Sequence, residues 1–216
     1  NGHFILNPAK KVLIPDETAG DRPRLYYDSH AMNGSQSSYD LAIPVGDYLH
    51  LAVANVGANG VVGLRNAEWY QAASLSQEVA DTVGSQRTGL FTARSRMRLE
   101  EGADQQFNVH LYMANCASAL VLDTLGSHVG DIRVYASGFA TDFQIADSTY
   151  RFRSVPVVEP DEIVLDYSNS VCFSCVTFPS RDGTREGEEE LWFFDVYTTL
   201  PDGSVTRTIL GVSKPL

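Results

Sequence analysis

Apolar and polar residues alternate with a period of two along most of this 216-residue chain, and turn residues separate the runs. YLHLAVAN, Tyr48 to Asn55, sets Leu49, Leu51 and Val53 against His50, Ala52 and Ala54, after the turn PVGDY. LFTARSRMRL, Leu90 to Leu99, sets Phe91, Ala93, Ser95 and Met97 against Thr92, Arg94, Arg96 and Arg98. That pattern predicts a half-exposed strand with three arginines on one face. Further strands are predicted at KKVLI (10–14), RLYYD (24–28), SYDLAI (38–43), FNVHLYM (107–113), SALVLD (118–123) and DIRVYAS (131–137). TDFQIA (141–146), STYRFRS (148–154), DEIVLDY (161–167) and SVCFSCVTF (170–178) follow. The clearest local signal is ELWFFDVYTTLPDGSVTRTILGV, two β-rich runs around Pro201-Asp202-Gly203-Ser204, which predicts a tight hairpin.

One stretch breaks the alternation. After Gly57, Gly60 and Gly63, the segment NAEWYQAASLSQEVADTVG places Leu75, Val79 and Val83 four residues apart, which predicts one or two short helices over 67–83. The polar connector EEGADQ predicts a domain boundary near residue 103. More than ten short strands with little helix predict an all-β protein, two β-sandwiches in tandem over 1–103 and 104–216, with a short helical insertion near 67–83. No repeat of solenoid or propeller period is present.

Charge narrows the function classes. With 16 basic and 27 acidic residues the net charge is −11, which argues against nucleic-acid partners and against an anionic membrane surface. No run of about 18 apolar residues spans a bilayer. NGHFILNP has neither the basic region nor the apolar stretch of a signal peptide, both ends are compatible with trimmed boundaries, and a leader or lipid anchor outside the chain is left open.

The candidate chemistry is sparse. Cys116, Cys172 and Cys175 are too few for a disulfide scaffold. Cys172-Phe173-Ser174-Cys175 is a C-x-x-C inside a predicted strand, where residues three apart point to opposite faces, so core or half-buried thiols are expected rather than a redox pair or zinc site. His3, His30, His50, His110 and His128 stand singly, and His50 and His110 fall in the polar phase of their strands. No G-x-S-x-G elbow, P-loop or dinucleotide fingerprint appears, and NVGANGVVG reads as a turn. Asp16-Glu17, Glu100-Glu101, Glu159 with Asp161-Glu162, and the run Glu186 to Glu190 read as solubilising. Tyr26-Tyr27, Trp69-Tyr70 and Trp192 are the possible sugar platforms, with Trp192 placed in the core. No catalytic, cofactor-binding or metal residue is assigned, and no cofactor is implied.

The stretch VYASGFATDFQIADSTYRF, Val134 to Phe152, raises the question of a site because it holds Asp142 and Asp147. They lie five apart with no third oxygen ligand at metal spacing. Val134, Ala136, Phe143, Ile145, Tyr150 and Phe152 read as inward positions, Gly138 as a bend, and Asp147-Ser148-Thr149 as a local turn. Scaffold is the expectation.

In order, these segments resemble the FimB-type fimbrial accessory and anchor subunits of Bacteroidales, within the fimbrillin superfamily. The resemblance rests on IPVGDYLHLAVANV, FNVHLYMANCASALVLD, VYASGFATDFQIADSTYRF with the following Pro156, and CVTFPS before LWFFDVYTTLPDGSVTRTIL, spanning about residues 39–212. It implies tandem transthyretin-like Greek-key β-sandwich domains in a non-enzymatic protein of the cell surface and outer membrane. The implied role is that of a structural or accessory subunit, anchor or tip, in fimbrial adhesion and assembly. Its partners would be other fimbrial subunits, joined by strand exchange, and host or bacterial surface glycans or proteins. Strand addition takes its hydrogen bonds from the main chain and needs no tuned side chains. Arg94, Arg96 and Arg98 read as a guarded edge, and Asp166-Tyr167 with Arg151 and Arg153 as cross-strand charge partners. A carbohydrate-binding, lectin-like sandwich stays open as an alternative, as does a glycosidase with paired acids across a cleft.

Overall fold

Wherever alternation is regular and a turn follows it, the chain pairs into antiparallel strands. The computed structural model describes residues 38, 40, 44–67, 71–102, 104–123, 131–153, 157–165, 170–182 and 191–216. The strands predicted at 10–14 and 24–28 lie outside these, as do most of 38–43, Asp16-Glu17, Tyr26-Tyr27, Trp69-Tyr70, Asp166-Tyr167, Glu186 to Glu190, His3, His30 and His128.

In chain order the elements are β1 (Gly46–Ala54), α1 (Val56–Asn59), β2 (Val62–Arg65), β3 (Ser74–Gln77), β4 (Thr82–Gly84), β5 (Phe91–Leu99), β6 (Tyr112–Met113) and β7 (Cys116–Leu122). Then come β8 (Asp131–Ser137), β9 (Asp142–Gln144), β10 (Thr149–Arg151), β11 (Val157–Glu159), β12 (Asp161–Val164), β13 (Val171–Thr177), β14 (Trp192–Thr199) and β15 (Val205–Val212). They form sheets in the orders β1-β5-β6, β10-β9-β3-β2, β15-β14-β8-β11-β4 and β12-β13-β7. The protein is an all-β sandwich. All pairings with assigned register are antiparallel except β11 with β4, which run parallel.

Two compact units divide the chain. The first takes 1–76, 88–114 and 143–149, and the second takes 77–87, 115–142 and 150–216. The division is interleaved, with each unit drawing on three separate stretches of the chain.

Two sequence expectations fail locally. Over 67–83 the described residues form turns and the strands β3 and β4, and the one α-helix among the described residues is α1, earlier in the chain. Leu75 and Val83 are buried while Val79 is 99% exposed, so the three never share a helical face. The run 107–113 pairs only at Tyr112 and Met113, opposite Thr92 and Phe91.

In the first unit, β1 pairs with the whole of β5, from Gly46 opposite Leu99 to Ala54 opposite Phe91. Leu51, Ala52, Val53 and Ala54 are all buried, so both faces of this end of β1 are covered. His50 is buried as well, contrary to its expected polar phase, with Nδ1 3.5 Å from Ser95 Oγ; His110 is exposed as expected. The glycine run, expected as a turn, holds the one-turn helix α1 and the reversal after it, built around Asn59. This side chain is fully buried; its amide nitrogen donates to Thr88 O at 3.2 Å, and its oxygen accepts from Val62 N at 3.0 Å and Val61 N at 3.4 Å. Asn55, at φ 66, donates to Gly89 O at 2.9 Å.

In the second unit, β8, β11 and β14 turn Val134, Ala136, Val158, Trp192, Phe194 and Val196 into a shared core, and β13 adds Phe173 and Cys175. Trp192 packs against Phe139 and Phe194 at ring separations of 5.8 and 5.2 Å, and its indole N–H donates to Lys214 O at 2.9 Å. It is a core residue, as expected. Gly138 sits where the chain leaves β8, at φ 97, with its backbone pressed against Leu191 and Trp192.

Candidate functional site

Among the described residues, the aspartates and cysteines singled out in the sequence have structural work. Asp142 is buried in the second unit. Its Oδ2 accepts from the Thr141 hydroxyl at 2.8 Å and lies 3.3 Å from Arg153 Nε, while Thr141 Oγ1 in turn accepts from Arg153 N. Arg153 therefore finds its carboxylate at Asp142. Asp147 accepts from the amide and hydroxyl of Thr149 at 3.2 and 2.6 Å, closing the local turn that the sequence predicts. The two aspartates serve separate local networks.

The cysteines lie on β7 and β13, where Cys175 stands opposite Ser118 and Thr177 opposite Cys116. Cys175 is buried, with Sγ 3.2 Å from Ser118 Oγ, and Cys172 is half-buried on the other face. Burial raises the Cys116 and Cys175 thiols above their ordinary value of 9.0, the reverse of what an attacking thiolate needs. Tyr150 is pushed up to about 12, first by burial and then by the neighbouring Cys116. These groups keep their protons in the folded state above the pH at which the unfolded chain releases them. Their stabilisation is thus complete below pH 9 and is lost as pH rises through the folded values. The urea midpoint should fall between pH 8 and pH 11, and Tyr150→Phe should flatten the decline. A midpoint constant over that range would contradict the assignment.

Tyr135 and Tyr197 share the outer face of the five-stranded sheet, but their rings meet edge to face at 78°. They offer no coplanar sugar platform. Arg207 bonds Asp195 at 2.8 Å and lies 5.8 Å over the Tyr197 ring, and Arg133 bonds Asp131 at 3.2 Å. These are cross-strand pairs and near neighbours that tie the face together.

What sequence reasoning missed is an edge. The β14–β15 hairpin is closed by the predicted turn, with Gly203 N donating to Leu200 O at 2.9 Å and Leu200 N to Ser204 O at 2.8 Å. Asp202 Oδ1 accepts from both the hydroxyl and the amide of Ser204, at 2.6 and 2.9 Å, which holds its carboxyl below the ordinary value. This turn sets an eight-residue register from Trp192 opposite Val212 to Thr199 opposite Val205. On β14, Trp192, Phe194 and Val196 are buried; on β15, everything from Val205 to Gly211 is exposed on both faces. Leu210, the direct partner of buried Phe194, is 37% exposed, and on the outer face Val205 and Ile209 are 61% and 53% exposed. The core stops one strand short of the sheet. β12, at the end of the three-stranded sheet, repeats the pattern: its Val164 is 66% exposed beside half-buried Val171. β15 ends its sheet, so among the described residues one row of its main-chain donors and acceptors has no strand partner.

No protein-family model matches the chain, and no curated protein matches it either. Solved structures do. A candidate adhesin from Bacteroides ovatus ATCC 8483 superposes with a TM-score of 0.65 at 12% identity, covering 97% of this chain and 78% of that one. The fimbrial anchor protein Mfa2 from Porphyromonas gingivalis gives 0.61 at 14% identity, with 96% and 74% covered. A second Bacteroides ovatus candidate adhesin gives 0.63 at 10%, with 95% and 69% covered. The chain shares its fold with these proteins. The resemblance read from the ordered segments is thereby borne out in the fold along nearly the whole chain. No helix among the described residues is long and apolar enough to cross a membrane.

Proposed function

We propose that the protein is a structural or accessory subunit of cell-surface fimbriae, an anchor or tip, acting in adhesion and assembly through strand-mediated contacts with other subunits. The observation that carries this reading is β15, an eight-residue strand at the end of its sheet, exposed on both faces and bearing Val205, Ile209 and Leu210. In strand addition an incoming segment pairs with such an edge through main-chain hydrogen bonds, and alternate side chains supply selectivity. The shared fold with a fimbrial anchor protein and with candidate adhesins supports the same reading. On this reading the protein belongs to the cell surface, on fimbriae of the outer membrane, and has no catalytic role.

The test replaces two exposed apolar residues of this edge by lysine. Val205→Lys with Ile209→Lys should leave the melting temperature within a few degrees, because neither side chain belongs to the core. It should abolish co-purification with other fimbrial subunits from the cells that make the protein, and immunogold labelling of fimbriae should disappear. Normal incorporation of the folded double variant would rule β15 out as the joining edge.

A further inference from the structure

A second edge differs from β15 in chemistry. On β5, Arg94, Arg96 and Arg98 project from one face, and all three are exposed. Among the described residues none of their guanidinium groups makes an ion pair or a hydrogen bond, in a chain with 27 acidic residues against 16 basic ones. Even Asp47, directly across from Arg98 on β1, forms no ion pair with it. β1 occupies one side of β5 along its whole length, but β6 occupies the other only at Phe91 and Thr92. From Ala93 to Leu99 that side has no strand partner among the described residues.

We propose that this part of β5 is the docking edge for an extended acidic segment of another protein chain, with its Asp or Glu residues at every second position. The argument is one of charge and repeat. Residues two apart on a strand are separated by roughly 6.6–6.8 Å, so the three arginines form a ladder of that interval. An incoming strand with alternate acids has the same interval by construction. Pairing along β5 sets each carboxylate beside one guanidinium without bending either chain. Arginine suits the role because its planar fork binds a carboxylate through two parallel hydrogen bonds. The same charges repel a second copy of β5, so the edge resists self-pairing while selecting an acidic partner. This site lies in the first unit and stands independently of the role proposed for β15.

The test uses the whole chain and two fluorescently labelled peptides of one composition. Thr-Glu-Val-Glu-Val-Glu-Thr carries alternate acids, and Thr-Val-Glu-Glu-Glu-Val-Thr carries them together. Fluorescence anisotropy should show the alternating peptide binding at least tenfold more tightly, with affinity falling as salt rises. Arg94→Gln with Arg96→Gln and Arg98→Gln should abolish that binding, and Arg96→Gln alone should weaken it several-fold at an unchanged melting temperature. The proposal is overturned if the two peptides bind equally, if neither binds, or if binding survives the triple variant. It is also overturned if heparin outcompetes the alternating peptide at matched charge, since the ladder would then be a general polyanion site.

Discussion

Gly138→Ala is expected to destabilise the second unit by about 3 kcal/mol or more, read as a lowered urea midpoint and an earlier thermal transition. Two costs add. At φ 97 an L side chain is strained, by roughly 1–2 kcal/mol even in the milder left-handed region. A Cβ built there would sit 2.6 Å from Leu191 O, 2.7 Å from Trp192 Cα and 3.0 Å from Trp192 Cβ. Two of those neighbours are backbone atoms, and forced repacking of this kind costs about 1–3 kcal/mol. Trp192 cannot yield easily, because its ring is held by Phe139, Phe194 and the bond to Lys214 O. Gly203 is the internal comparison. It has a similar φ, 83, with open space where the Cβ would go, so Gly203→Ala should cost only about 1–2 kcal/mol. Equal losses at the two positions would show that backbone strain alone sets the cost.

Asn59→Ala is expected to cost the first unit about 3 kcal/mol. The side chain is fully buried and bonds Thr88 O, Val61 N and Val62 N. Alanine takes its side-chain partner from the buried Val62 amide, at about 1–3 kcal/mol, and removes one bond from the part-buried Thr88 carbonyl. It also leaves a small void. Asn59→Asp keeps the acceptor for the two amides but turns a carboxylate towards the Thr88 carbonyl, so it should rescue little at neutral pH. A loss below about 1 kcal/mol in the alanine variant, by chemical denaturation, would mean that solvent reaches these groups.

Both positions were partly legible in the sequence. Gly138 reads as a bend and NVGANGVVG as a turn, but neither pattern says which backbone will press on a glycine or which amides an asparagine will cap. Strands β8, β13 and β14 follow from alternation because one face of each is the more deeply buried, and the closing hairpin follows from its turn residues. The failures have physical causes. Leu75, Val79 and Val83 recur at helical spacing by coincidence, since Leu75 and Val83 are buried from separate strands and Val79 lies in the link between them. His50 was misplaced because both phases of β1 are buried along much of its length, and alternation then carries no information. The exposure of β15 was hidden for the converse reason. Val205, Ile209, Leu210 and Val212 read only as one arm of a β-rich hairpin, and it is the position of β15 at the end of its sheet among the described residues that makes them a surface. Likewise the arginine ladder was visible as a pattern, while the side of β5 left open by β6 was not.

The interleaving of the two units bears on how the protein is made. The first unit needs 143–149, yet the chain must first emit the 28 residues 115–142 of the second unit. At about 5–20 residues per second, everything after residue 114 that completes the first unit arrives roughly 2–7 s late. During that interval the nascent chain exposes the apolar surface that those last residues will cover, and a chaperone has something definite to protect. An experimental fragment ending at residue 103 or 114 freezes the molecule at that stage.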